Sequence, residues 1–112
     1  MSKQDELLPG GVTQEQINKW KKQHGQVFAI SIPLDDEGKE KATGYFRKPN
    51  LDIVSAANKV GKTDMIRGGL VAFESTFLGG DPIIKEDDEV KMSAIEAVGQ
   101  LFKVREAEVK NL

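Results

Sequence analysis

A chain of 112 residues, of which 38% are hydrophobic, is long enough for one domain with a modest core and too short for a second. Its 16 basic and 18 acidic residues give a formal net charge of -2 and are spread evenly over both halves, which argues against a basic surface for nucleic acid. The sequence contains no cysteine, so disulfides, thiol catalysis and thiolate metal sites are excluded.

The first residues do not have the pattern of a secretory signal. Asp5 and Glu6 stand where such a signal would carry positive charge, and no apolar run approaches the roughly 18 residues of a membrane span. We therefore expect a cytoplasmic protein without a membrane partner. Residues 1–11 lack periodicity and end in proline and two glycines, so we predict a flexible N-terminal arm followed by a single α+β domain over residues 12–112.

The first predicted helix covers residues 14–24. Thr13 and Gln16 have the spacing of a capping box, in which the threonine hydroxyl accepts a hydrogen bond from an early helical N–H group. Trp20 belongs to a narrow apolar stripe on this helix, and Gly25 can adopt the left-handed conformation that ends it.

Two runs with a period of two residues follow this helix. In the first run, Phe28, Ile30 and Ile32 face one way, and the second run continues over residues 42–47 until a proline stops it. A polar, glycine-containing turn joins the runs, so we predict an antiparallel hairpin. Because two strands are marginally stable alone, the hairpin must pack on helices, pair with another chain, or both.

Three more helices are predicted, over residues 51–60, 65–78 and about 88–110. Asn50 and Asp64 are the expected N-caps of the first two. The fold class is therefore α+β, with an N-terminal helix, a two-stranded antiparallel hairpin, and then three helices of which the C-terminal one is long.

The helix over residues 65–78 is predicted to be the central buried one. Ile66, Leu70, Phe73 and Phe77 recur along it at helical spacing and define its apolar face. The glycine pair at 68–69 costs roughly 1 kcal/mol per glycine relative to alanine, which indicates that a neighbouring backbone approaches closely there.

Several motifs could be mistaken for chemical sites. Residues 56–63 match a loose phosphate-loop pattern, but the preceding segment is predicted to be helix rather than strand, so we interpret them as a helix end with its capping turn. His24 lies near a helix end, and no serine has a nearby histidine to activate it. The acidic run at 86–89 lacks the ligand spacing of a calcium loop. We therefore expect no catalytic residue, no cofactor, no metal site and no enzymatic activity.

The candidate partner-binding residues are apolar or aromatic. Trp20 and Tyr45, the only residues of their kinds, either anchor a partner or close the core where the first helix meets the hairpin. Val104, Val109 and Leu112 lie where the long C-terminal helix is predicted to extend beyond its own core. The hairpin edge and this helix end are therefore the predicted surface for a protein partner or for a homo-oligomer.

The chain also resembles small phage-encoded proteins of the tail assembly chaperone type, including versions from phages and prophages of Bacteroides-like hosts. The resemblance covers about residues 13–112. It rests on Trp20-Lys21 through Gly25 with Val27-Phe28, on Tyr45-Phe46-Arg47-Lys48-Pro49, on Leu78-Gly79-Gly80-Asp81-Pro82, and on the terminal segment Val104 to Leu112.

Such chaperones bind the long tape-measure protein and keep it soluble until tail-tube subunits polymerise around it. The resemblance therefore implies a non-catalytic viral protein in the host cytoplasm, with the tape-measure protein or another tail protein as its partner and an apolar or mixed partner surface. It supplies no catalytic residues. Two alternatives remain, a structural virion or connector subunit found in the virion, and a small host regulatory or antitoxin-like protein-binding module.

Overall fold

The computed structural model describes residues 6–102 and 105–112. Its strands form a two-stranded sheet, β1-β2, and a three-stranded antiparallel sheet in the order β3-β4-β5. The elements in chain order are β1 (Leu7–Leu8), β2 (Val12–Thr13), α1 (Gln14–His24), β3 (Val27–Pro33), β4 (Lys41–Arg47), α2 (Leu51–Gly61), α3 (Met65–Thr76), β5 (Phe77–Gly80), α4 (Ile83–Glu86) and α5 (Asp88–Gly99).

The predicted order of elements is wrong, although the chain does contain both helices and sheets. It does not begin with a helix, because a β-hairpin precedes α1. Gly10 and Gly11 both have positive φ, 86° and 75°, and turn the chain so that β1 pairs antiparallel with β2. The predicted arm, residues 1–11, thus contains a strand in the part that the structure describes.

The predicted two-stranded hairpin is also incomplete, because β5 adds a third strand on the far side of β4. The sequence pattern placed Phe77 and Leu78 at the end of a helix, but α3 stops at Thr76. Thr43 holds the chain just beyond β5 in place: its N–H group donates to the Asp81 carboxylate at 2.8 Å, and its carbonyl accepts from the Asp81 N–H group at 2.9 Å.

The prediction of a long C-terminal helix is also wrong. α5 ends at Gly99, and residues 105–112 have no secondary structure and are exposed. Half of the residues beyond Phe102 are charged, and an isolated helical extension of about ten residues is marginal in water without packing to support it. A separate short helix, α4, precedes α5.

The predicted N-caps are confirmed. The Thr13 hydroxyl accepts from the Gln16 N–H group at 3.2 Å, and Asn50 and Asp64 accept from N–H groups in the first turns of α2 and α3. Each cap satisfies a helical N–H group that has no partner within its own helix. These local hydrogen bonds explain why the starts of α1, α2 and α3 agree with the sequence pattern.

The main core lies between the sheet and the helices α3, α4 and α5. Phe46 on β4 and Phe73 on α3 are 0% and 2% exposed, and their ring centroids are 5.8 Å apart in an edge-to-face arrangement. Phe77 stacks on Phe73 with centroids 5.3 Å apart. The other buried members of this core are Ile32, Ala42, Ile84, Val90, Ala94 and Val98. β4 is the central strand, and Ala42 through Phe46 are all buried, which shows that both faces of this strand are covered.

Candidate partner-binding groove

An apolar groove of about 720 Å³ opens between α2 and α5, with α3 along its floor. Because its largest side chains are aliphatic or aromatic, its chemistry suits a non-polar occupant. The groove is lined by Pro49, Ile53, Val54, Ala57, Asn58, Gly61, Lys62, Met65, Gly68, Gly69, Ala72, Ile95, Val98, Gly99 and Phe102.

Two glycines of α3 set the positions of the groove walls. A Cβ atom at Gly68 would lie 2.7 Å from both the Ala57 carbonyl oxygen and the Gly61 Cα atom, so α2 can approach α3 closely only because position 68 has no side chain. A Cβ atom at Gly69 would lie 2.7 Å from the Ile95 side chain on α5. The predicted close approach of a backbone at the glycine pair is therefore confirmed for α2.

Helix α2 contains no buried residue, although its sequence is amphipathic. Ile53, Val54 and Ala57 form its apolar face and are only half-buried, because that face lies along the open groove. Met65, which also lines the groove, is 85% exposed. The apolar surface of the groove therefore extends onto the start of α3.

Lys62 is the one charged side chain among the described residues that line the groove. It follows the last residue of α2, and its N–H group donates to the Asn58 carbonyl at 3.1 Å. The stretch that matches a phosphate loop is therefore the end of a helix with its capping turn, as predicted. In this position the Lys62 ammonium supplies a positive charge at the rim of an apolar surface.

Trp20 and Tyr45 form a second, smaller cluster on the face of the sheet that α1 covers. They are 8% and 5% exposed, and their ring centroids are 5.8 Å apart. The Trp20 ring lies against Gly79 of β5, where an added Cβ atom would be 3.0 Å from it. The structure thus brings these two candidates together inside the fold, where they close the contact between α1 and the sheet.

The Tyr45 hydroxyl connects the N-terminal hairpin to the sheet. It donates to the Pro9 carbonyl at 2.7 Å, and burial raises the pKa of this hydroxyl above its usual value of 10.0, with the nearby Asp81 carboxylate acting in the same direction. Both effects favour the protonated form, which is the form that can donate to Pro9.

Replacing Tyr45 with phenylalanine is expected to lower the free energy of unfolding by about 1 kcal/mol at neutral pH, because the Pro9 carbonyl loses its donor. Tyr45 ionises near pH 10.0 in the unfolded state and at a higher pH in the folded state, because its folded-state pKa is raised. The contribution of Tyr45 to stability is therefore complete below pH 10.0 and is lost as the pH rises through the folded-state pKa. Denaturation curves from neutral pH to strongly alkaline pH should therefore converge for the two proteins. A stability difference that is constant across this range would contradict the assignment.

Val109 and Leu112 do not pack against Trp20 and Tyr45. Both are fully or almost fully exposed, in a segment without secondary structure. Their predicted place at the end of a long helix is wrong, because α5 ends at Gly99. The third C-terminal candidate, Val104, lies outside the described residues.

Sequence reasoning missed the groove itself. The sequence pattern predicts helices over residues 51–60 and 65–78, but it does not indicate that an open groove lies beside them. One signal could have identified it: Gly61 and Gly68 stand on helices joined by a short turn, which is typical of a close helix pair whose outer faces remain open. The position of α5 beside this pair could not be inferred from such local spacing.

Comparisons of the chain with protein-family models, with curated proteins and with solved structures found no match. In the part of the chain that the structure describes, no group of three or more His, Asp or Glu side chains is placed to hold a metal ion. Within the same residues, no helix has both the length and the apolar character needed to cross a membrane.

Proposed function

We propose that this chain is a non-catalytic, phage tail assembly chaperone-like protein that binds the tape-measure protein during tail morphogenesis. The observation that carries the proposal is the groove between α2 and α5, an apolar surface of about 720 Å³ beside a helix with no buried residue. The resemblance of the sequence to tail assembly chaperones supplies the identity of the partner.

The occupant of the groove is an amphipathic helix of the partner. Grooves between helices bind such helices through apolar side chains at spacings of three and four residues. Val54 and Ala57 on one wall and Ile95 on the other supply the complementary apolar contacts. An acidic side chain on the partner helix would pair with the Lys62 ammonium and fix its direction.

Binding of this kind suits a chaperone for a long helical protein. Such a protein exposes apolar stripes until it is packed inside the tail tube, and covering those stripes keeps the chain from aggregating. The groove offers an apolar surface, while 30% of the residues of the whole chain are charged and favour solubility of the complex.

The groove is tested by two substitutions on α2. Val54→Asp places a carboxylate among the apolar residues of the groove, whereas Ser55→Asp adds the same charge at the next, exposed position. In a pull-down after co-expression with a tape-measure protein, we expect Val54→Asp to weaken binding by about tenfold or more and Ser55→Asp to leave it nearly unchanged. Equal binding by both variants would show that the groove is not the partner site.

Substitutions of Lys62 test how much its charge contributes to partner binding, separately from the shape of the groove. Lys62→Ala should change the free energy of unfolding by less than about 0.5 kcal/mol, because the residue lies on an exposed turn. Lys62→Glu should weaken partner binding most at low salt.

Mass spectrometry of mature phage particles tests whether the protein acts only during assembly, since an assembly chaperone is absent from them. Its presence in stoichiometric amount would contradict the proposal.

A further inference from the structure

Strand β3 forms one edge of the three-stranded sheet. Its seven residues, Val27–Pro33, include no charged side chain, and Ala29 and Ser31 are exposed. Edge strands of soluble proteins usually carry charges, bulges or a central proline that prevent pairing with another chain. β3 has a proline only at its last position, so most of this edge is able to pair.

The register of β3 with β4 shows which backbone groups face outward. The Leu34 N–H group donates to the Glu40 carbonyl at 2.8 Å, which makes Leu34 and Glu40 a hydrogen-bonded pair next to the register pair Pro33↔Lys41. Hydrogen-bonded pairs alternate along an antiparallel ladder, so Ile32, Ile30 and Phe28 direct their N–H and C=O groups towards β4. The corresponding groups of Ser31, Ala29 and Val27 therefore point away from the sheet.

We propose that β3 pairs antiparallel with β3 of a second copy of this chain, with Ala29 opposite Ala29 at the two-fold axis. In this register Val27 of each copy lies opposite Ser31 of the other, so every outward N–H group finds a carbonyl. Pro33, which has no N–H group, lies opposite Gly25, before the start of β3, so it does not interrupt the pairing of Val27, Ala29 and Ser31. On the face covered by α3, α4 and α5, Phe28 of one copy lies beside Ile30 of the other and adds an apolar cross-strand contact.

The charges around β3 favour a second copy over an unrelated strand. The turn after β3 is acidic, with exposed Asp35 and Asp36, and the last turn of α1 before β3 is basic, with exposed Lys21 and Lys22. Antiparallel pairing places the residues after β3 of one copy beside the residues before β3 of the other. Each acidic turn therefore meets the basic helix end of the partner copy, and the two-fold axis repeats this complementary contact.

This dimer leaves the groove between α2 and α5 free, because β3 contributes no residue to that groove. The inference thus stands independently of the proposed function. Variants of the edge should change the oligomeric state without changing partner binding through the groove, and variants of the groove such as Val54→Asp should leave the dimer intact.

Sedimentation equilibrium of the full chain over a wide range of concentrations tests the dimer. Ala29→Lys places two lysines opposite each other at the two-fold axis, with their Cα atoms about 5.5 Å apart. Repulsion between their like charges should raise the dimer dissociation constant by more than about tenfold. Two controls should remain dimeric: Ala29→Thr, which keeps the position uncharged, and Ser55→Lys, which adds the same charge on α2. A monomeric native chain, or an Ala29→Lys variant that dimerises like the controls, would overturn the proposal.

Amide hydrogen exchange in the native chain tests the register without any substitution. The N–H groups of Val27, Ala29 and Ser31 should exchange rapidly in dilute samples and slowly in concentrated ones, while those of Phe28, Ile30 and Ile32 are protected in both. Added salt should weaken the dimer, because it screens the contact between the acidic turn and the basic helix end. Exchange rates at the three outward positions that do not change with concentration would exclude this edge as the interface.

Discussion

Replacing Phe73 with alanine is expected to lower the free energy of unfolding by roughly 3–5 kcal/mol. Phe73 is 2% exposed and lies in contact with two other aromatic rings, Phe46 and Phe77. Its removal would leave a cavity that the sheet and α3 cannot close, because β4 is fixed between β3 and β5. Urea denaturation of the full chain measures the effect.

Ile66 provides the matched control on the same helix. The sequence pattern placed it on the buried face of α3 together with Phe73, but the structure leaves it 61% exposed. Ile66→Ala should therefore change the free energy of unfolding by no more than about 0.5 kcal/mol. If the two substitutions had similar costs, α3 would not be the helix that fills the core.

The second large effect is expected at Gly80, the last residue of β5. Its φ of 137° is rarely adopted by L side chains, and an added Cβ atom would meet the Thr43 carbonyl oxygen and lie 2.8 Å from the Gly44 Cα atom. Both obstacles are backbone atoms of the central strand, so they cannot rotate away. Gly80→Ala should therefore cost about 3 kcal/mol or more, as the sum of backbone strain and a displaced strand.

Gly38→Ala separates these two contributions. Gly38 also has positive φ, 70°, but it lies in the turn between β3 and β4 where an added Cβ atom meets nothing within 4 Å. The substitution should cost only about 1–2 kcal/mol, for backbone strain alone. Chemical denaturation of both variants provides the comparison, and equal costs would mean that the contact between β5 and β4 contributes little.

Features that depend on neighbouring residues could be predicted from the sequence. The caps at Thr13, Asn50 and Asp64 are local hydrogen bonds, and the pairing of β3 with β4 follows from a period of two on both sides of a short polar turn. β5 could not be predicted in this way. Phe77 continues the helical spacing of Phe73, and the extended conformation is favoured by pairing with the distant strand β4 and by the hydrogen bonds between Thr43 and Asp81.

The candidate site was predictable only in part, for a related reason. Apolar periodicity identifies the face of a helix that avoids water, but it does not say whether another element of the chain covers that face. The sheet covers the helix face that carries Phe73, whereas the helix face that carries Val54 lies along the open groove. Trp20 and Tyr45 show the opposite case, since two rare aromatic residues that suit a binding surface pack against each other inside the fold.

The lack of a buried residue in α2 has a consequence for the order in which the fold comes apart. The other helices of the described residues each bury at least one side chain, whereas the apolar face of α2 is only half-buried along the groove. We therefore expect a partial opening in which α2 separates from α3 at a free energy below that of global unfolding. An occupant of the groove that contacts both α2 and α5 raises the free energy of that opening, so the bound protein is the more cooperative folding unit.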